Sequence, residues 1–418
     1  MNLLIKLAKV VDPNSPHNGK RVDILIENGQ IKSVRKNIAS KAKTISGKNL
    51  HVSPGWFDMH VNFRDPGDEH KEDLNSGCKA AAFGGFTGVA CMPGTNPPLH
   101  TKSDIEYIKN KAKGNVVDVH PIGALSKGLK GKEMTEMYDM SLSGAVAFSD
   151  EKKPISNAGV LSRALLYVNG FNGLVISHSQ DETITLEGQM NEGETSTALG
   201  LNGMPSLAEE IMITRDVYLA EYTNSRLHFA TISTGKSVEI IRNAKKKGIK
   251  VTAEIAAHQI GIDDSNLNSF DSNYKVNPPF RTKKDIAALK KGLADGTIDA
   301  ICSDHSPEDV ETKNREFDIA SFGAIGLETA YAVTNTYSGL TPEEIVEKMS
   351  LAPRRILGID VPIVKNGEKA NLTIFDPKEV WTYASSDIKS KSANSPFIDV
   401  SFTGKAIGVF NNNKYVGA

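Results

Sequence analysis

The sequence predicts an α/β protein, a (β/α)8 TIM barrel joined to a small β-sandwich made by both ends of the chain. Three observations lead there. Strand-like apolar runs alternate with helix-period segments eight times through the middle, both ends carry short runs that alternate apolar and polar residues, and 418 residues accommodate a barrel of about 250 or more plus an accessory domain.

Residues 1–52 hold LLIKLAKVV, VDILIENGQI and IKSVRKNI, with Asn28-Gly29 as a hairpin signal. The tail from 366 to 418 repeats the pattern in NLTIFDP and FIDVSFTGKAIGVF, so the two ends are expected to pair into one accessory domain, discontinuous in sequence. Residues 53–365 form the barrel. Its strands are expected at WFDMHVNF, GVACM, VVDVHPIGA, GAVAFSD, LVISHS, LHFATIS, VTAEIAA and DAICSD. Between them EDLNSGCKAAAFGG, SDIEYIKNKAK, GKSVEIIRNAKKKG and KKDIAALKKGLADG carry apolar residues at helical spacing with polar faces.

Composition narrows the class of function. A net charge of −1 offers no bulk attraction to nucleic acid or an acidic membrane surface, and no apolar run approaches the roughly 20 residues of a membrane span. Cys78, Cys91 and Cys302 are scattered among apolar or small residues and form no CxxC pair, which argues against a disulfide framework or a thiolate zinc site and for a reducing, cytoplasmic setting.

Side chains at the C-terminal ends of barrel strands share one mouth. His60 closes the first strand, Asp150 the fourth, His178 the fifth and Asp304 the eighth, with Asn62 and Arg64 following His60 at alternate positions. Any one of these residues alone reads best as a hydrogen-bonded rim residue; four strands delivering imidazole or carboxylate to one end reverse that preference. Such donors suit zinc or a similar first-row ion, which would lower the pKa of bound water to about 7 for attack on an amide carbonyl. Asp304 would take the proton from that water and return it to the leaving nitrogen.

The run PGWFDMHVNFRDPGDEHKEDLNSGCKAAAFGGFTGVACMPGTNPP resembles the dihydroorotase signature, and KVNPPFR, DGTIDAICSDHSPE, FDIASFGAIGLETA and SKSANSPF resemble later blocks of that family. The resemblance runs nearly end to end and implies an amidohydrolase-type barrel that interconverts dihydroorotate and N-carbamoyl-L-aspartate in pyrimidine synthesis. It implies metal ligation by His60, Asp150, His178 and Asp304, a substrate carboxylate on Arg64, and ring hydrogen bonds from Asn277. A guanidinium offers a carboxylate a planar, paired contact that lysine cannot copy. The plainer alternatives are Arg64 as an ion-pair partner and Asn277 as a turn residue before Pro278-Pro279. Family members often form dimers, so a homodimer is the expected assembly.

The chain also departs from the family pattern. The first-strand HxH reads His60-Val61-Asn62, and the sixth-strand histidine position holds Thr231. Gly94 stands where an asparagine helps hold the substrate carboxylate, Glu308 where a substrate-side histidine is usual, and Ser321 where the family has proline. One divalent ion rather than two is the expectation, with loss of metal as the alternative. Two functions follow: a dihydroorotase-like hydrolase with an incomplete metal site, or an inactive homologue acting as a structural or regulatory partner, for example of aspartate carbamoyltransferase.

Overall fold

A computed structural model of the chain describes residues 1–417. The eight expected runs all form parallel strands: Trp56–Val61, Phe86–Cys91, Asp118–Pro121 continued by Gly123–Ala124, Phe148–Ser149, Val175–Ser177, Leu227–Phe229, Val251–Ala256 and Ala300–Cys302. Pairing proceeds in chain order, interrupted only where Ile122 separates the two halves of the third strand. A parallel bridge between Val61 and His305 links the first strand to the segment after the last. This is the (β/α)8 arrangement expected of the middle of the chain.

Helices Leu74–Phe83, Lys102–Lys111, Gly235–Lys246 and Lys283–Ala294 occupy the segments with helical periodicity. Their starts are set locally. Asp73, Thr101, Thr234 and Thr282 each accept a backbone N–H of the first turn on a side-chain oxygen, which satisfies donors that have no partner within the helix. Helix Ser206–Thr223 is different, because it is apolar on two sides. Ala208, Met212, Ile213 and Ala220 face the core, whereas Leu207, Ile211, Tyr218 and Tyr222 stand exposed along the other face.

The chain ends build one continuous eight-stranded sheet. Leu3–Val10, Arg21–Glu27, Gln30–Arg35, Lys43–Ile45 and His51–Pro54 come from the N-terminal part; Leu372–Thr382, Ser401–Asn411 and Lys414–Gly417 come from the C-terminal part. Asn28 and Gly29 both adopt positive φ, 51° and 80°, in the hairpin that their sequence signals. The two contributions meet where His51–Pro54 pairs antiparallel with Leu372–Phe375. Only Gly55 then separates this sheet from the first barrel strand. A Cβ there would lie 2.0 Å from Thr87 Oγ1 and 2.1 Å from Asn371 Oδ1, so the close approach of sheet and barrel requires glycine.

Candidate active site

Two cavities lie at opposite ends of the barrel strands. The larger, about 930 Å³, is lined by Phe57, Gly88, Asp118 and Val119 near the strand starts. The smaller, about 260 Å³, is lined by Arg64, Glu151, Lys152, Asn277, Asp304 and Ser306, beyond the strand ends. Catalytic groups in such barrels come from the C-terminal ends of strands, so size does not decide here and the smaller cavity is the candidate site.

His60 is held from below. Its Nδ1 lies 2.9 Å from Glu254 Oε1, its backbone N–H donates to Asp58 Oδ1 at 2.9 Å, and Asp58 Oδ2 accepts the N–H of Ser303 at 2.8 Å. Asp58 thus ties the first strand to the eighth. Burial pushes its carboxyl up to about 6, against those hydrogen bonds. Burial works against ionised Glu254 as well, but the adjacent His228 and His60 outweigh it and bring the group down to about 2. For His60, burial disfavours the charged ring, yet the Glu254 hydrogen bond prevails and its pKa rises.

The upper face of His60 meets Asp304, with Nε2 3.6 Å from Oδ1. The same oxygen lies 2.8 Å from Lys152 Nζ. That contact is close but not aligned as a hydrogen bond, and both atoms are buried without a hydrogen-bond partner among the described residues. His178 and His258 feel the same two charges; burial, with Lys152 assisting, takes His178 down to about 3 and His258 to about 4.

Of the four expected ligands, His60, His178 and Asp304 feel one another's charges at the mouth, while Asp150 is held by contacts of its own. Its Oδ1 accepts the Ser126 N–H at 2.8 Å and its Oδ2 accepts the Ser126 hydroxyl, so both oxygens secure the loop after the third strand. Among the described residues, no three His, Cys, Asp or Glu side chains are spaced to hold an ion as they stand. The donor chemistry points the same way, since Asn62 and Thr231 contribute an amide and a hydroxyl where imidazoles would bind more firmly. The side chains present do not fit a metal ion in this arrangement.

Arg64 and Asn277 both reach the cavity. The Asn277 Oδ1 is buried and unpartnered among the described residues, leaving an acceptor for a ring N–H. Arg64 is already engaged: Nε donates to Pro307 O at 3.2 Å, and Nη2 donates to Ser306 Oγ at 3.1 Å and Glu308 Oε1 at 2.7 Å. Lys71 Nζ holds the other Glu308 oxygen at 2.6 Å. The plainer reading of Arg64 as an ion-pair partner thus describes part of what it does.

Lys152, Glu151, Glu254 and His258 were missed in the sequence. The first two lie directly after Asp150, in a DEKK run at a strand end where every charged residue warranted attention. Glu254 had a signal too, a lone carboxylate inside the apolar strand VTAEIAA. Glu151 fills space above Gly94, where an added Cβ would fall 1.6 Å from Glu151 Oε2. Three non-glycine residues lining the cavity, Arg64, Glu151 and Asp304, have left-handed φ of 55°, 56° and 51°, a costly backbone state that gathers at functional sites.

Comparison with known proteins bears on the family and the fold. A family model described as dihydro-orotase-like matches residues 49–237. A dihydroorotase of Geotalea daltonii is 45% identical over 422 residues, covering 100% of this chain and 99% of its own. One from Acetivibrio thermocellus is 44% identical, covering 99% of this chain and 98% of its own. Among solved structures, the L-hydantoinase (dihydropyrimidinase) of Arthrobacter aurescens superposes with a TM-score of 0.87 at 25% identity, over 99% of this chain and 96% of that one.

Proposed function

The chain belongs to the dihydroorotase family, and on that premise we propose that it is a dihydroorotase-like cyclic amidohydrolase of pyrimidine biosynthesis. It would interconvert dihydroorotate and N-carbamoyl-L-aspartate, with turnover held down by an incomplete metal site. The observation that supports this most is the convergence of Arg64, Asn277 and Asp304 on one cavity of about 260 Å³, a space suited to a small ring. In this reading Arg64 draws the substrate carboxylate and Asn277 Oδ1 accepts a ring N–H. Asp304 takes a proton from the attacking water and passes it to the ring nitrogen as the amide C–N bond breaks. Burial opposes the charge on Asp304, but Lys152 and His60 outweigh it and lower its pKa, which makes it a weaker base. Slow turnover follows.

A second reading is favoured by specific contacts. Lys152 pairs with Asp304 and Glu308 pairs with Arg64, so the chain's own charges engage both groups that would receive reactants. Leu207, Ile211, Tyr218 and Tyr222 add an exposed apolar stripe of the kind that marks assembly surfaces. A non-catalytic partner, for example of aspartate carbamoyltransferase or in a homodimer, would use such a surface. The deciding experiment measures dihydroorotate hydrolysis by purified protein with and without excess zinc, beside Asp304→Asn. Turnover lost in the variant supports the hydrolase. Rates equal to the variant's, together with co-purification of a transcarbamoylase, support the partner role.

A further inference from the structure

A single ammonium group stands among the imidazoles and the carboxylate of the barrel mouth. Lys152 follows the fourth strand, its side chain is 22% exposed, and its Nζ is buried. The stem therefore runs inward from solvent and carries its charge to Asp304, whose side chain is 4% exposed. His60, His178 and His258 feel the charges of Lys152 and Asp304, and at the C-terminal ends of the barrel strands lie buried polar atoms without hydrogen-bond partners among the described residues: His60 Nε2, His178 Nδ1, His258 Nε2, Asn62 Nδ2, Thr231 Oγ1 and Asp304 Oδ1. Buried polar groups are seldom left unpaired, so a set of this size marks a place prepared for a charge.

We propose that Lys152 is a tethered cation that occupies the place of a divalent ion against Asp304, His60 and His178, and that a metal enters only when Lys152 swings out. Lys152 and Asp304 compensate one another. An added divalent ion would set two further positive charges beside the ammonium in a buried space, whereas outward movement of the ammonium returns a favourable balance. Lysine suits the exchange, because its compact charge rides on a flexible four-carbon stem. The inference rests on the proposed function only in taking this mouth as the site, and it accounts physically for an incomplete metal centre in a chain that keeps several of the donors.

The test is a cobalt(II) titration of chelator-stripped full-length protein, comparing the unaltered chain with Lys152→Met and Lys152→Gln. Binding is read from the visible ligand-field spectrum and from competition with a chelator, and thermal melts check that each variant folds. Both variants should bind one ion at least about tenfold more tightly than the unaltered chain, and adding Asp304→Asn to Lys152→Met should abolish the gain. Equal affinities would overturn the proposal. Weaker binding by the variants would overturn it by making Lys152 a ligand, and no binding by any protein would do so by showing that the donors cannot hold an ion. Hydrolysis is a separate readout: a cobalt-loaded Lys152→Met that fails to turn over dihydroorotate counts against the hydrolase and leaves this proposal standing.

Discussion

Glu308→Gln removes one charge and keeps nearly the same shape, so it isolates what that carboxylate does to Arg64. Glu308 is 7% exposed at its side chain and contacts Arg64 at 2.7 Å and Lys71 at 2.6 Å. Each charge-assisted hydrogen bond is worth about 1.5–3 kcal/mol. The amide keeps a weaker acceptor for one cation, and both cations are partly open to water, so a loss of about 2–3 kcal/mol in stability is expected rather than the sum. A ligand carboxylate entering the cavity would then recover roughly one such contact. That corresponds to about 1.4–2.8 kcal/mol, a 10- to 100-fold lower Kd. Calorimetric titration should show the gain for dihydroorotate and not for dihydrouracil, the same ring without a carboxylate. An equal change for both ligands, or no change for dihydroorotate, would refute the idea that Glu308 competes with a substrate anion for Arg64.

Asp150→Ala should lower stability by about 2–4 kcal/mol in urea unfolding, because two Ser126 donors lose their acceptor; metal uptake by a Lys152→Met background should be unchanged, which a ligand role for Asp150 would not allow. Glu254→Gln should cost about 3–5 kcal/mol, since two buried imidazoles lose their carboxylate, and calorimetric melting checks it. Asp73→Ala removes the cap of helix Leu74–Phe83 and should cost about 1 kcal/mol. Burial opposes the charge on Asp73, but its Lys391 and Ser76 contacts prevail and bring its pKa to about 2. Its share of stability is therefore complete above the ordinary value of 3.8 and is lost as pH falls through about 2, so the difference between Asp73→Ala and the unaltered chain should shrink over that window in acid titrations.

Periodicity made the barrel strands and several of its helices legible, because burial on a parallel sheet leaves apolar runs such as VVDVHPIGA and VTAEIAA with little ambiguity. His60, His178 and Asp304 were legible for a related reason, as polar residues at strand ends have few places to point except the mouth. Asp150 shows how local contacts compete with the same rule. A two-residue strand, Phe148–Ser149, sets its direction loosely, and the Ser126 N–H and hydroxyl, 24 positions earlier, capture both its oxygens. Lys152 was hidden for another reason. A lysine in a charged run normally remains in solvent, and only the path of the turn shows that its stem leads inward.

The sheet shared by the chain ends has a consequence for synthesis. His51–Pro54 leaves the ribosome more than 300 residues before its neighbour Leu372–Thr382, so the nascent chain carries an open edge while the barrel is being made. Contacts of such long sequence separation form late and slowly. The N-terminal strands must therefore wait without recruiting a strand from elsewhere. Shortening the chain before residue 372 would leave the edge permanently open, and the product of that change would be aggregation rather than a smaller working barrel.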